Sequence, residues 1–209
     1  MMKTKLTVLV DIDNILNNFA QTFLDFYNRD NHTDFTMQDV TEYSFATSLK
    51  IPESALVTYF KNRKLLNSCE PLPDAIRYLR ILNELANVYI VTAREFDQLI
   101  DIEAWFKLYY PYIESRQLIR CADKHMVKGD IRIDDHYKNL EHSNSAKILF
   151  NYPYNNTIDL TNELIYRVNN WEECFSACML RMGYNPSDID KYKQESCAVS
   201  DFGWNCTVR

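Results

Sequence analysis

Leu6-Thr7-Val8-Leu9-Val10-Asp11-Ile12-Asp13-Asn14 begins as an unbroken apolar run and ends in two carboxylates. Continuous rather than alternating hydrophobicity marks a strand buried on both faces, as in a parallel sheet. The acidic pair then lies where that strand emerges. In extended geometry Asp11 and Asp13 point to one side and Ile12 to the other. Leu16, Phe19, Ala20, Phe23, Leu24 and Tyr27 follow at three- and four-residue spacing, which predicts a helix with one apolar face starting just after Asp13-Asn14. Strand, acidic turn and helix in succession make the first unit of an α/β fold.

The alternation recurs downstream. Val88-Tyr89-Ile90-Val91 predicts a second strand that stops at Thr92-Ala93-Arg94. Gln117 to Cys121, Ile131-Arg132-Ile133 running into Asp134-Asp135, and Ala146 to Phe150 predict three more. Helices are expected through Ile76, Leu79, Leu82 and Leu85, and through Leu99, Ile102, Trp105 and Phe106 up to Pro111. Another carries Cys174, Phe175, Cys178 and Met182 and is stopped by Gly183. Such alternation predicts a parallel sheet with helical crossovers. Residues 31–70 differ, being aromatic and polar, broken by Pro52, with one expected helix through Ala55, Leu56, Tyr59 and Phe60 and no convincing strand. They read as a small helical insertion. Residues 184–209 show little periodicity.

Composition bounds the function. A chain of 209 residues suits one domain, or one core with a modest insertion. With 46% hydrophobic residues it can bury a sizeable core. A balance of 23 basic against 29 acidic residues, net −6, leaves no broad basic surface for a nucleic-acid polymer. No apolar run approaches the roughly 20 residues that span a bilayer, and the opening Met1-Met2-Lys3-Thr4-Lys5 shows no signal-peptide pattern, so the expected location is the cytoplasm. Six cysteines without a CxxC pair read as free thiols, and Cys174 and Cys178, four apart on a helix, read as packing. With only 3 glycines, asparagine must cover some positive-φ positions.

In an open parallel sheet, ligands bind beyond the carboxyl ends of the strands where strand order reverses. Asp11 and Asp13, Thr92, and Asp134 with Asp135 would therefore face one crevice. Uncompensated, the carboxylates repel. A hard cation such as Mg²⁺ resolves the repulsion, and Mg²⁺ is commonly held together with substrate phosphate oxygens. Each residue also has a plainer reading. An acid-x-acid pair occurs in ordinary acidic loops, Thr92 suits a helix N-cap, Lys124 could be a solvated lysine, and Asp134-Asp135 a loop start. Their joint occurrence in this order favours the catalytic reading. His125 and His142 lack ligand spacing, which disfavours zinc.

Asp11-Ile12-Asp13-Asn14-Ile15-Leu16 after an apolar strand, Val91-Thr92, Lys124 and Ile133-Asp134-Asp135 together resemble the four motifs of haloacid-dehalogenase-superfamily phosphatases. More closely, Asp11 to Phe19, Glu70-Pro71-Leu72-Pro73, Asp123-Lys124 followed by Asp130 and Asp134-Asp135, and Leu149-Phe150 look like the 5′(3′)-deoxyribonucleotidase family. The resemblance spans roughly residues 5 to 180. It implies a Rossmann-like three-layer α/β core with a parallel sheet, from residues 1–18 and 71–183, with a small helical cap at 19–70 and an extension at 184–209 of unassigned role.

The resemblance further implies a two-step hydrolysis through an aspartyl-phosphate. Asp11 would be nucleophile and metal ligand. Asp13 would give its main-chain carbonyl to Mg²⁺ and its carboxyl as general acid, then base. Thr92, the backbone N–H of Ala93, and Lys124 would hold the phosphoryl oxygens. Asp134 would bind the metal, with Asp135 supporting it. Phe19 stands where the family places a base-binding ring, with Tyr43 and Phe45 as looser candidates; Phe19 could equally be a core residue, and for Tyr43 and Phe45 the core reading is the stronger. The implied partner is a nucleoside monophosphate, and the family includes homodimers, although nothing in the sequence marks an interface. Three departures stand out. Asn14 occupies a position usually held by glycine, Ala93 one usually held by serine, and His136 one usually held by arginine. Other readings are a related phosphatase or phosphotransferase for another small phosphomonoester, and a non-catalytic protein that keeps the fold.

Overall fold

Thr7–Val10 (β1) lies inside a six-stranded, all-parallel sheet with Asn87–Thr92 (β2), Leu118–Arg120 (β3), Ile131–Asp134 (β4), Ala146–Phe150 (β5) and Ile165–Val168 (β6), in the order β3-β2-β1-β4-β5-β6. The structure, a computed structural model, describes residues 4–141, 143–161 and 164–199. Val8 pairs with Val88 on one side and Ile131 on the other, and Val10 with Ile90 and Ile133. All six are buried, which explains the continuous apolar runs. From β1 the chain builds outward through β2 and β3, then crosses back to place β4 on the other side of β1. The reversal opens a crevice at the carboxyl ends of β1 and β4. This is the Rossmann-like α/β architecture that the sequence predicts.

The first helix starts later than its periodicity suggests. Phe19–Asn31 (α1) begins five residues beyond Asn14, because Asn14 adopts a left-handed backbone (φ 60°) and the amides of Leu16 and Asn17 fold back onto the Ile12 carbonyl. Leu16 is therefore a turn residue. Phe45–Leu49 (α2), Glu53–Phe60 (α3) and Arg63–Asn67 (α4) follow. With α1 they gather around an apolar cluster of their own, in which the Phe23 ring meets Tyr27, Phe45, Tyr59 and Phe60 at centroid distances of 5.1–5.9 Å. The segment leaves and rejoins the sheet at one place: Asn18 N–H donates to the Glu70 carbonyl, and Glu70 N–H donates back to the Asn18 side chain.

Ala75–Leu85 (α5), Leu99–Tyr109 (α6), Tyr137–Glu141 (α7) and Trp171–Arg181 (α8) complete the crossovers. Helices α5 and α8 meet through stacked Tyr78 and Phe175 rings, 4.8 Å apart. Three ties join the helical segment to α6 and the turn before it. Arg63 forks onto Asp101 (2.8 and 2.7 Å), Gln98 donates to the Phe60 carbonyl (2.8 Å), and the Trp105 indole donates to the Cys69 carbonyl (2.7 Å). Hydrogen bonding from Arg63 holds the Asp101 carboxyl below its usual value.

Several elements depart from the sequence expectation: the short helices α2, α4 and α7, and more notably β6 and a helix over residues 186–199. β6 is an edge strand whose Tyr166 and Arg167 interrupt the apolar pattern, so Ile165 to Val168 looks like loop in the sequence. Pro186–Val199 (α9) is a helix in the stretch that lacked periodicity; its Ile189 is buried in the main core, and Tyr184 and Tyr192 meet edge to face. Cys69, Cys121, Cys174 and Cys178 are free thiols, the last two fully buried in the core. His142, Trp204, Cys206 and the Cys197 side chain lie outside the described residues. Among those described, no helix is long and apolar enough to cross a membrane.

Trp171 is a structural keystone of the site-bearing end. It is 1% exposed, packs 5.8 Å from Phe150, and donates its indole N–H to the Ile15 carbonyl at 2.6 Å, tying α8 to the turn after β1. Trp171→Ala should cost about 3–5 kcal/mol and lower Tm by roughly 10 °C. Trp171→Phe, which keeps a ring but strands the carbonyl, should cost about 1–3 kcal/mol. Urea and thermal midpoints measure both, and a wild-type midpoint for Trp171→Ala would refute the assignment.

Candidate active site

Asp11 stands at the mouth between β1 and β4, where its N–H extends the ladder by donating to the Ile133 carbonyl at 3.1 Å. The left-handed Asn14 then turns the chain, as asparagine tolerates. Its side chain does what glycine could not. Oδ1 accepts from the Ala20 N–H (2.8 Å) in the first turn of α1, while Nδ2 donates to Asp135 Oδ2 (3.1 Å) and to the Tyr154 hydroxyl (3.2 Å). Asn17 fixes the same loop, with Oδ1 accepting from the amides of Asn14 and Phe19 and Nδ2 donating to Asp13 Oδ1 at 3.1 Å.

Lys124 comes from a short 3₁₀ turn, Lys124–Met126, between β3 and β4. Arg132, buried on β4, pins that turn by donating to the carbonyls of Lys124 (2.9 Å) and Val127 (2.6 Å). The Lys124 side chain is 4% exposed, and its Nζ lies 2.6 Å from Asp11 Oδ1 and 2.9 Å from Asp134 Oδ2. Asp134 also accepts from the His136 N–H (3.0 Å) and Asn139 Nδ2 (2.9 Å). Asp135 accepts from the Tyr154 hydroxyl at 2.5 Å. Lys124 is thus no surface lysine: it is a buried ammonium between carboxylates carried at the ends of two neighbouring strands, β1 and β4.

Carboxylate oxygens of Asp11, Asp134 and Asp135 lie within 4.8 Å of one another. Three carboxylates face one ammonium, so the cluster carries excess negative charge. Burial, and then the neighbouring carboxylates, push Asp11 well above the usual carboxylate range despite Lys124. Burial and Asp134 push Asp135 up to about 7. Burial alone would lower the Lys124 ammonium, but Asp11 and Asp134 outweigh it and hold it above the ordinary lysine value. A strained group of hard oxygen donors is the donor set that suits a hard divalent cation such as Mg²⁺.

The other residues singled out from the sequence fall into two groups. Thr92 ends β2, is buried, and accepts from the Arg94 N–H at 3.2 Å; it caps no helix, because the N-cap of α6 is Gln98. Ala93 is exposed beside it. Phe19 lies edge-on to Phe60 at 4.9 Å, and the Arg94 guanidinium sits 5.4 Å from its ring centre. Tyr43, 51% exposed, stacks on His136 with centroids 3.5 Å apart and planes 8° from parallel, which joins the helical segment to the residue after the acidic pair. Phe45 is buried within the aromatic cluster. Asp13 stands apart from the three clustered carboxylates, with its carboxylate on Arg94. Arg94, Asn139, Tyr154 and the capping role of Asn14 were not singled out beforehand. Only Arg94 had a signal, its place directly after Thr92-Ala93 at a strand end.

Residues 5–182 match the family model described as 5′ nucleotidase, deoxy (pyrimidine), cytosolic type C protein. The 5′(3′)-deoxyribonucleotidase of Clostridium acetobutylicum is 28% identical over 176 residues, covering 83% of this chain and 95% of that protein. The enzyme of the same name from Bacillus subtilis is 27% identical over 176 residues, covering 81% and 96%. In fold, the chain is similar to a HAD-family hydrolase from Deinococcus radiodurans R1 with bound phosphate and sodium (TM-score 0.58, 10% identity, 86% of this chain and 97% of that one). It is also similar to a haloacid dehalogenase-like hydrolase from Streptococcus pneumoniae (TM-score 0.55, 14% identity, 82% and 97%). A family match running from the first strand to the end of α8, on a sheet that sets its acidic residues at the switch point, shows that the chain belongs to the cytosolic type C deoxy-5′-nucleotidase family and is a phosphomonoester hydrolase.

Proposed function

We propose that the protein hydrolyses deoxyribonucleoside 5′- or 3′-monophosphates to deoxynucleoside and inorganic phosphate in a Mg²⁺-dependent reaction through an aspartyl-phosphate. The observation that carries this reading is the buried Asp11–Lys124–Asp134 arrangement at the switch point, with Asp135 completing an all-oxygen donor group. The names of the curated relatives supply the substrate class.

Asp11 and Asp134, with the main-chain carbonyl of Asp13, would hold Mg²⁺, which when bound neutralises charge on the phosphoryl oxygens. Lys124, Thr92 and the Ala93 N–H meet the remaining phosphoryl charge. An oxygen of Asp11 forms a bond to phosphorus as the bond from phosphorus to the ester oxygen breaks. The departing oxygen takes a proton from the Asp13 carboxyl. In the second half, Asp13 takes a proton from water as that water attacks phosphorus, and Asp11 leaves as a carboxylate. Asp135, fixed by Tyr154 and Asn14, keeps Asp134's neighbourhood rigid. Residues 1–18 and 71–183 serve as the catalytic core and 19–70 as the cap, where Phe19 and Tyr43 offer ring surface to the base. Phe45 serves the cap's own packing.

Purified protein should release phosphate from dUMP or dTMP with Mg²⁺ and lose that activity when the metal is removed with EDTA. Turnover of no nucleotide would overturn the substrate assignment. Release only from other small phosphomonoesters in a parallel panel would replace it.

A further inference from the structure

Arg94 has no part in the scheme above, yet it is built into the site. Its side chain is 10% exposed, and its guanidinium forks onto Asp13, with Nε 2.8 Å from Oδ2 and Nη2 bonded to Oδ1. Its backbone is fixed at both ends, since its N–H donates to Thr92 Oγ1 (3.2 Å) and its carbonyl accepts from Arg120 Nε (3.2 Å). The Phe19 ring lies alongside the guanidinium. A planar fork accepts a carboxylate in essentially one orientation, and burial removes the water that would let it slip.

The two oxygens of Asp13 are not equivalent. Oδ1 receives two donors, Arg94 Nη2 and Asn17 Nδ2 (3.1 Å), whereas Oδ2 receives Arg94 Nε among the contacts described. When the carboxyl carries a proton, Oδ2 can give up its single donor while Oδ1 remains held by two. Lys124 cannot substitute, because it is committed to Asp11 and Asp134.

We propose that Arg94, together with Asn17, is a positioning residue that grips Oδ1 of Asp13 and thereby presents Oδ2 as the oxygen that gives and takes the proton. This rests on the reading of Asp13 as the acid and base of the reaction. The transfer balances: the Oδ2–H bond breaks as the leaving oxygen gains the proton, and water restores that proton to Oδ2 in the second half.

The test compares an alkyl ester, dUMP, whose leaving oxygen needs a proton, with p-nitrophenyl phosphate, whose phenolate leaves readily without one. Breakdown of the phospho-enzyme is common to both substrates. The readout is therefore single-turnover release of the leaving group with Mg²⁺ present. Arg94→Ala should slow deoxyuridine release by about 10²-fold or more, the range of general acid catalysis, and nitrophenolate release by less than about 5-fold. Arg94→Lys, with charge but no fork, should recover part of the loss for dUMP. Asp13→Asn should show the same split between substrates, and Asp13→Asn with Arg94→Ala should fall no further than Asp13→Asn alone. Arg94→Gln provides a second, neutral variant should the alanine protein fold poorly.

Equal loss on both substrates, or a rise in KM without the split, would overturn the proposal and make Arg94 a structural or phosphate-binding residue. Unchanged rates would overturn it too. If Asp13→Asn splits the substrates and Arg94→Ala does not, only the positioning role fails. If Asp13→Asn shows no split, the acid–base reading of Asp13 fails, and the role of Arg94 with it.

Discussion

Asp11→Asn is expected to reduce phosphate release from dUMP or dTMP by about 10⁴-fold or more, the scale on which enzymes lose a covalent nucleophile. An amide at that position cannot form and later release the acyl-phosphate bond. The fold should survive. Asp11 is one of three carboxylates crowded within 4.8 Å, and its removal relieves repulsion on Asp134 and Asp135 even as it takes one partner from Lys124. Lys124 keeps Asp134 at 2.9 Å. In metal-free buffer the Tm of Asp11→Asn should therefore match or exceed that of the wild type, which separates lost chemistry from lost structure. Residual activity near a tenth of wild type would remove Asp11 from the nucleophile's role.

Lys124→Met should disable the site and the fold together. The ammonium is the cation that holds Asp11 and Asp134 in a buried setting. Taking away one partner of a buried ion pair costs about 3–5 kcal/mol, because the charges left behind lack compensation. For a chain of this size that is roughly 10 °C in Tm. The defect should vary with pH in a fixed direction. Asp11 and Asp135 already titrate above their ordinary value of 3.8 in the fold, Asp135 at about 7. Between those values the folded protein binds more protons than the unfolded chain, so stability is retained below the unfolded pKa and declines as pH rises through the folded one. Losing Lys124 should steepen that decline between pH 5 and pH 8, measured by thermal melts across the range. Millimolar Mg²⁺ should raise the Tm of Lys124→Met more than that of the wild type, since the ion replaces the missing positive charge. A Lys124→Met protein with the wild-type midpoint and pH profile would show that the ammonium does not neutralise the cluster.

The buried parallel strands were legible because Val8, Val10, Ile90, Val91, Ile131 and Ile133 must be apolar on both faces, and that demand leaves an unbroken run in the sequence. β6 escaped for the opposite reason. An edge strand pays little for Tyr166 and Arg167, so its pattern is diluted. The tail helix α9 buries Ile189 but otherwise carries mostly polar residues, and its apolar stripe is too thin to register as a period. The displaced start of α1 shows a different limit. Leu16 continues the helical spacing of Phe19 and Phe23, yet it packs from a turn, because a single left-handed residue at Asn14 resets the chain's direction without altering the spacing.

At the site, the acidic strand ends brought Asp11 and Asp134 to notice and the family resemblance brought Lys124, and the structure places Lys124 between the two carboxylates. Arg94 directly follows Thr92-Ala93 at a strand end, but that place says nothing of what its guanidinium meets. Its partner lies 81 residues earlier, and only the parallel pairing of β1 with β2 brings the two ends side by side. The Tyr43–His136 stack is likewise a product of the helical segment folding back over the carboxyl end of β4.

The amide of Asn14 bonds in two directions at once, with its oxygen on the first turn of the helix that carries Phe19 and its nitrogen on Asp135. A flat group of this kind cannot swing at one end alone. Asp135, the turn after β1 and the start of the helix that carries Phe19 are therefore spaced by the width of one planar amide.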